Sequence, residues 1–192
     1  MNVAVGASRL GVSSALSTRF GQDELGSLID DHTAGSNVAL TPHSRGAART
    51  STATATIGAD GAASYVFDIE WDWSDDIDFV PKVVHTGSIG AVLQPGGANV
   101  HDTIARLRPT SLVTYDPNSR PALMGDCADA VRIVEGYVRL ADIIKASIAN
   151  AAKIFKEDPR MIANRAVQLE VMLDPTDDRE TAVWLVEVLA DV

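Results

Sequence analysis

The stretch from Val113 to Pro121, which reads VTYDPNSRP, holds the residues best suited to chemistry. An apolar run leads directly into Asp116, Asn118 and Arg120, so that an acid, an amide and a guanidinium share one turn. We expect this turn at the carboxyl end of a parallel strand, which is the edge where open α/β sheets bind ligands. The planar fork of Arg120 suits a carboxylate or phosphate, and its two neighbours can bond hydroxyls or order a metal-bound water. An ordinary Asp-Pro turn with a solvated arginine explains the spacing alone equally well.

Short apolar runs alternate with amphipathic ones from residue 81 onward, which is the pattern of βαβ units. The predicted strands are Lys82–Thr86, Ser111–Tyr115 and Asp142–Ala146. Helices are predicted at Asn99–Leu107 and at Asp126–Leu140, and the second of them begins with an aspartate N-cap. Its predicted buried stripe comprises Ala130, Val131, Val134 and Val138. His85, on the first of these strands, is interpreted as a core histidine.

The first third of the chain predicts two helices and a β-hairpin. A helix is expected over residues 2–10, with Val3, Ala7 and Leu10 on one face and Gly11 as a left-handed cap. A strand over 14–20 and an amphipathic helix over 23–34 follow, the helix with Leu25, Leu28 and Ile29 inward. Two alternating runs, Thr50–Ile57 and Ala63–Trp71, flank an Asp-Gly turn and predict the hairpin.

Composition limits the classes of partner. The 192 residues suffice for one domain with a real core, and a formal charge of −10 argues against nucleic acid or an anionic membrane as a partner. Cys127 is the single cysteine, which excludes an internal disulfide and a thiolate cluster. The sequence shows neither a bilayer-length apolar run nor a signal-peptide pattern, so we predict a cytoplasmic protein.

Five segments, in this order and spacing, resemble the ribokinase/fructokinase (PfkB-type) family of sugar kinases, most of all bacterial fructokinases and 2-keto-3-deoxygluconate kinases. They are NVAVGASRLG from residue 2, LSTRFGQDELG from residue 16, KVVHTGS from residue 82, DPNSR from residue 116 and ADIIK from residue 141. The resemblance covers residues 2 to about 146. It implies a Rossmann-like three-layer αβα fold of ribokinase-like type, in which the hairpin, at about residues 48–72, is a small β lid over the sugar.

The same resemblance divides the chain into a partial sugar-kinase domain, residues 1–146, and a divergent helical tail, residues 147–192. The family opens with a further strand before the position that Asn2 matches, and it carries its general base in a Gly-Ala-Gly-Asp run that this sequence lacks. The fold is therefore expected to be an incomplete version, with no catalytic residue assigned. Two-helix character in the tail is predicted from its own apolar spacing.

Site residues follow from the family's motifs. The substrate-binding residues that the resemblance implies are Asn2, Arg49, Asp116, Asn118 and Arg120. Lys145 and Ser147 correspond to the phosphate and metal region, where the family's Asn-x-x-Glu or Ser-x-x-Glu carboxylate is replaced by Asn150. An amide lacks the charge that hard cations favour, so no metal ligand is assigned.

The resemblance implies ATP-dependent phosphorylation of a sugar, either fructose-like or a keto-sugar acid, with ATP and Mg²⁺ as the cofactors. The alternative is a catalytically inactive, truncated relative that lacks the general base and most of the nucleotide site. A small-molecule sugar is the predicted ligand, and a homodimer through the lid or an exposed sheet is the predicted assembly.

Overall fold

The computed structural model describes residues 1–58, 63–75, 77–118, 120 and 123–146. The predicted tail helices and Ser147 lie outside these residues. The chain forms two compact units, Met1–Lys82 with Leu93–Thr110, and Val83–Val92 with the chain from Ser111 onward. The elements of the first unit are α1 (Asn2–Arg9), β1 (Ser14–Leu16), α2 (Glu24–Ala34), β2 (Val38–Leu40), a 3₁₀ turn (Pro42–Arg45), β3 (Thr52–Ile57), β4 (Ala63–Asp68) and α4 (Gly96–Leu107). Those of the second are β5 (Val83–Gly87), α3 (Ser88–Val92), β6 (Leu112–Asp116), α5 (Cys127–Leu140) and β7 (Ile143–Ile144).

The first unit begins with a helix and a parallel strand pair. Helix α1 is followed by Gly11 at a φ of +90°, which confirms the predicted left-handed residue. Val5 is the buried residue of this helix, whereas Val3 and Leu10 of the predicted apolar face are exposed. Strand β1 is shorter than the predicted 14–20 and pairs in parallel with β2 over three residues.

Helix α2 begins after Asp23, as predicted, but buries a different face. Leu28 is 64% exposed and Leu25 is also exposed, whereas Gly26 and Thr33 are buried. The reason is a close backbone approach, since a Cβ on Gly26 would overlap the Gly21 carbonyl oxygen. Small residues therefore occupy the contact face, and the leucines are left outside.

The Asp23 carboxylate joins α2 to the start of the hairpin. Its Oδ1 accepts hydrogen bonds from the Gly26 N–H (2.8 Å) and the Thr50 hydroxyl (2.6 Å). Its Oδ2 accepts one from the Thr50 N–H (2.8 Å). One side chain thus satisfies an orphan N–H of the helix and fixes the residue that leads into β3.

We expect Asp23→Asn to reduce the acid dependence of stability. The hydrogen bonds from Thr50, and then that from Gly26, hold the pKa of Asp23 below its ordinary value. A carboxylate of this kind stabilises the fold above its unfolded pKa of about 3.9, and the stabilisation is lost as pH falls through the lower folded value. The variant should therefore show a lower Tm at about pH 6 and a smaller drop in Tm towards about pH 3. Asp31→Asn, which changes an exposed acid of the same helix, is the control; a wild-type pH dependence in Asp23→Asn would contradict this account.

The predicted hairpin is confirmed as β3 and β4, which pair antiparallel from Thr52–Asp68 to Ile57–Ala63. This register gives the hairpin two different faces. One face carries Ala53, Ala55, Ile57, Tyr65 and Phe67, and the other carries Thr52, Thr54, Thr56, Val66 and Asp68. The Tyr65 and Phe67 rings stack with centroids 6.0 Å apart. Ile57 is 74% exposed, so much of the apolar face is exposed to solvent.

The segment after β4 is held by a buried tryptophan and by arginine pairs. Trp73 is 4% exposed, and its indole N–H donates to the Ser17 hydroxyl at 2.9 Å. Asn99 on α4 donates to the Trp73 carbonyl oxygen at 2.8 Å. Arg19 forms two hydrogen bonds with Asp72, at 3.0 and 2.9 Å, and these hold the pKa of Asp72 below its ordinary value. Trp73 therefore anchors the segment that follows the hairpin.

The second unit is a three-stranded parallel sheet in the order β5–β6–β7. Helix α5 begins after its N-cap Asp126, as predicted, and buries Ala130 and Val134. Tyr137 completes the buried stripe in place of the predicted Val138, which is exposed. The Tyr137 ring stacks on Tyr115 of β6 at 5.0 Å. Parallel pairs and the antiparallel hairpin together give the α/β class that the sequence predicts.

Candidate functional site

The carboxyl end of β6 gathers the three residues on which the sequence analysis centred. The Asp116 carboxylate accepts a hydrogen bond from the Asn118 N–H at 3.1 Å, which closes an Asx turn around the proline. Asn118 has a φ of +29°, a conformation that asparagine tolerates better than most residues. The Arg120 guanidinium donates to the Asn118 side-chain oxygen at 2.8 Å. The segment from Asp116 to Arg120 therefore has the backbone of an ordinary Asp-Pro turn. The same segment brings its acid, amide and guanidinium side chains together.

Lys145 reaches the same edge from the neighbouring strand. The side-chain ammonium of Lys145 lies 3.3 Å from Asp116 Oδ2, and its backbone N–H donates to the Tyr115 carbonyl oxygen at 3.0 Å. The parallel pairing of β6 with β7 causes this convergence, because both strands end at one edge. A second hydrogen bond supports the register of β6 with β7, since the Asp142 carboxylate accepts from the backbone N–H of Val113 at 2.7 Å.

A glycine sets the third strand beside this edge. Gly87 of β5 is the register partner of Asp116. A Cβ at residue 87 would overlap the Asp116 carbonyl oxygen and would lie 2.8 Å from the carbonyl carbon. Glycine is thus required for the two strand ends to approach this closely.

His85 and Thr114 pair across β5 and β6, two register steps before the strand ends. His85 Nδ1 and the Thr114 hydroxyl are 2.9 Å apart. Desolvation lowers the pKa of His85, and the Asp116 charge opposes this effect. The interpretation of His85 as a core histidine is wrong, because this residue is exposed. Thr114 had no predicted role, because alternation identifies the face of one strand but does not give the register between two strands.

Two sequence-predicted site residues lie in the first unit. Asn2 is exposed and is the first residue of α1. The Arg49 guanidinium donates to both carboxylate oxygens of Asp68, each at 2.7 Å. Of the remaining predicted residues, Ser147 falls outside the described part of the chain.

The strand-end cluster is suited to an anion more than to a cation. Arg120 and Lys145 offer N–H donors and positive charge, while Asp116 is the one carboxylate that pairs with Lys145 in the contacts above. Among residues 1–146, so far as they are described, no group of three or more His, Cys, Asp or Glu side chains could hold a metal ion. The positively charged donors of Arg120 and Lys145 therefore fit a phosphoryl group. Of the helices that the structure describes, none has the length and apolar character to cross a bilayer.

Comparison with known proteins finds one family model and several sugar-kinase relatives. Residues 135–192 match the family model MoxZ. An uncharacterized sugar kinase of Pyrococcus horikoshii is 30% identical over 163 residues, which is 76% of this chain and 50% of that protein. The chain spans about half the length of the curated relatives it matches.

Solved structures give the same family. A fructokinase from Halothermothrix orenii has a TM-score of 0.76 at 26% identity, over 88% of this chain and 63% of that one. A fructokinase from Vibrio cholerae, with fructose, ADP and a calcium ion bound, has a TM-score of 0.71 at 25% identity, over 87% of this chain and 57% of that one. The fold is thus ribokinase-like, and this chain belongs to the PfkB-type family of sugar kinases.

Proposed function

We propose that this chain serves in the ATP-dependent phosphorylation of a sugar, either a fructose-like ketose or a keto-sugar acid. The observation that carries the proposal is the cluster at the carboxyl ends of β6 and β7. There Asp116, Asn118 and Arg120 share one turn, and Lys145 lies 3.3 Å from the acid. Phosphoryl transfer depends on positioning and on charge stabilisation, and this set of side chains offers both.

The cluster divides naturally into two roles. Asp116 and Asn118 can bond sugar hydroxyls, because a carboxylate accepts and an amide both accepts and donates. Arg120 and Lys145 can meet phosphate oxygens. ATP, when bound, supplies the phosphoryl group, and Mg²⁺ stays a predicted cofactor.

The residues outside this cluster extend the proposal to the sugar. Asn2 and Arg49 stay predicted sugar contacts, and Ser147 stays a predicted phosphate contact. The threonine face of the hairpin offers hydroxyl groups to a polyol, which supports a lid role for β3 and β4. The exposed Ile57, Tyr65 and Val66 support a homodimer through the hairpin. Cytoplasmic location stays a prediction from the sequence.

Arg120→Ala tests the role of the cluster in phosphate binding. We expect ATP affinity, measured by isothermal titration calorimetry, to fall roughly tenfold, since a hydrogen bond to a charged group contributes about 1.5–3 kcal/mol. Arg132→Ala is the matched control, because Arg132 is an exposed arginine of α5 that pairs with Asp129 away from the strand ends. Equal affinities in wild type and Arg120→Ala would remove Arg120 from the site.

A second candidate function is sugar binding without phosphoryl transfer. The sequence favours it because it contains no Gly-Ala-Gly-Asp run, in which the family carries its general base. Fructose binding without sugar-dependent ADP release would select this candidate over the first.

A further inference from the structure

The hairpin formed by β3 and β4 is joined to the rest of the first unit by two short legs, and an arginine bridges them. We infer that Arg49 is a positioning residue that sets the orientation of this hairpin by binding Asp68. This role is an alternative to the sugar contact that the family resemblance implies for Arg49, and kinetics of the variants distinguish the two. The inference rests on the proposed function in one respect only, namely that the hairpin covers a sugar.

The first leg is fixed immediately before the strand begins. Thr50 is buried and bonded to the Asp23 carboxylate through both its N–H and its hydroxyl. The Gly21 N–H also donates to the Thr50 hydroxyl, at 3.1 Å. Ser51 is then the single residue between this fixed point and Thr52, where the β3–β4 ladder starts. Rotation of the hairpin on this side must therefore occur at Ser51.

The second leg is fixed a few residues after the ladder ends. Asp68 is the last residue of β4, and Trp73 is the next buried anchor. Between them, the Ser51 hydroxyl bonds both the carbonyl oxygen and the N–H of Glu70, each at 3.0 Å. The pivot of the hairpin thus consists of Ser51 and the residues around Glu70.

Arg49 lies on the fixed side of this pivot and binds the moving side. Its two terminal nitrogens donate to the two oxygens of Asp68 at 2.7 Å each, and one of them lies 3.3 Å from Glu70. This is the two-pronged geometry that makes an arginine–carboxylate pair directional. Since Asp68 is paired with Thr52 in the ladder, holding this carboxylate fixes the orientation of the whole ladder.

The ion pair between Arg49 and Asp68 is also accessible to water. The side chains of Arg49 and Asp68 are 39% and 65% exposed, so water can replace either partner. Exposed pairs of this kind contribute modestly to stability. The hydrogen bond to Asp68 raises the pKa of Arg49, and an arginine side chain stays charged in proteins in any case. The ion pair between Arg49 and Asp68 therefore restricts the orientation of the hairpin without holding it rigidly.

Hydrogen exchange of the hairpin amides tests this role without any assay of turnover. We expect Arg49→Ala and Asp68→Asn each to speed exchange in residues 52–57 by roughly two- to fivefold. The exchanged pair Arg49→Asp with Asp68→Arg should restore exchange to within a factor of about two of wild type. Arg45→Ala is the matched control, because Arg45 pairs with Asp30 at 2.7 Å in the same unit but away from the hairpin. Unchanged exchange in both single variants would overturn the inference.

Kinetics on the same variants separate positioning from sugar contact. If Arg49 acts through Asp68, Arg49→Ala and Asp68→Asn should raise the KM for sugar by similar factors, and the exchanged pair should recover most of the loss. A rise in KM confined to Arg49→Ala, with Asp68→Asn at the wild-type value, would instead make Arg49 a sugar ligand and overturn the inference. If neither the wild type nor any variant phosphorylates sugar, the proposed function fails. The hydrogen-exchange measurement then still decides the role of Arg49.

Discussion

Replacing Trp73 with alanine is expected to lower the free energy of unfolding by about 3–5 kcal/mol, the usual cost of truncating a buried tryptophan. Trp73 is 4% exposed, and its indole donates to Ser17 while its carbonyl oxygen accepts from Asn99. Alanine would leave a cavity and remove one hydrogen bond to the Ser17 hydroxyl where β1, the segment after β4 and α4 converge. Urea denaturation followed by circular dichroism measures the change.

Two further variants separate the parts of this effect. Trp73→Phe keeps most of the ring volume but removes the N–H donor, so it should cost roughly 1–2 kcal/mol. Val66→Ala removes an exposed side chain of the hairpin and should stay within about 0.5 kcal/mol of wild type. If Trp73→Ala changed stability no more than Val66→Ala, the tryptophan would not be the anchor described above.

Gly87→Ala is expected to cost about 3 kcal/mol and to disturb the candidate site. The added Cβ would overlap the Asp116 carbonyl oxygen of the adjacent strand, and a strand backbone cannot move aside as a side chain can. The strands must separate at the register pair Gly87–Asp116, which lies at the start of the Asp116–Arg120 turn. ATP affinity should therefore fall together with Tm, as measured by calorimetric titration and thermal unfolding.

Gly6→Ala provides the matched control for that change. Gly6 lies inside α1 with open space where the Cβ would be. Alanine there should stabilise the chain by about 0.5–1 kcal/mol, because glycine in a helix interior carries the larger entropy cost. A Gly87→Ala variant as stable as Gly6→Ala would contradict the close approach of β5 to β6.

Local patterns predicted the elements whose causes are local. The hairpin followed from alternation around an Asp-Gly turn, and α5 followed from its aspartate N-cap and apolar spacing. The faces of α1 and α2 could not be predicted in the same way. Gly26 approaches the Gly21 carbonyl oxygen, so α2 packs through its small residues and exposes Leu28. That choice depends on a neighbouring backbone, which apolar spacing does not record.

The candidate site also has one part that local sequence predicts and another that depends on contacts between distant residues. The turn from Asp116 to Arg120 was predictable, because its residues are adjacent in sequence and follow an apolar strand. The approach of Lys145 to Asp116 followed only from the family resemblance and the parallel order of strands. The contact between His85 and Thr114, and that between Arg49 and Asp68, depend on cross-strand register and on how the hairpin is held. Neither is visible in residue spacing alone.

Sugar-dependent release of ADP from ATP by the wild-type chain is the measurement that tests the central claim most directly. A coupled assay would compare fructose and a keto-sugar acid with a reaction that lacks sugar. The proposed function predicts ADP release above the sugar-free rate with at least one of these sugars. No sugar-dependent ADP release, together with no measurable binding of either sugar in calorimetry, would contradict it.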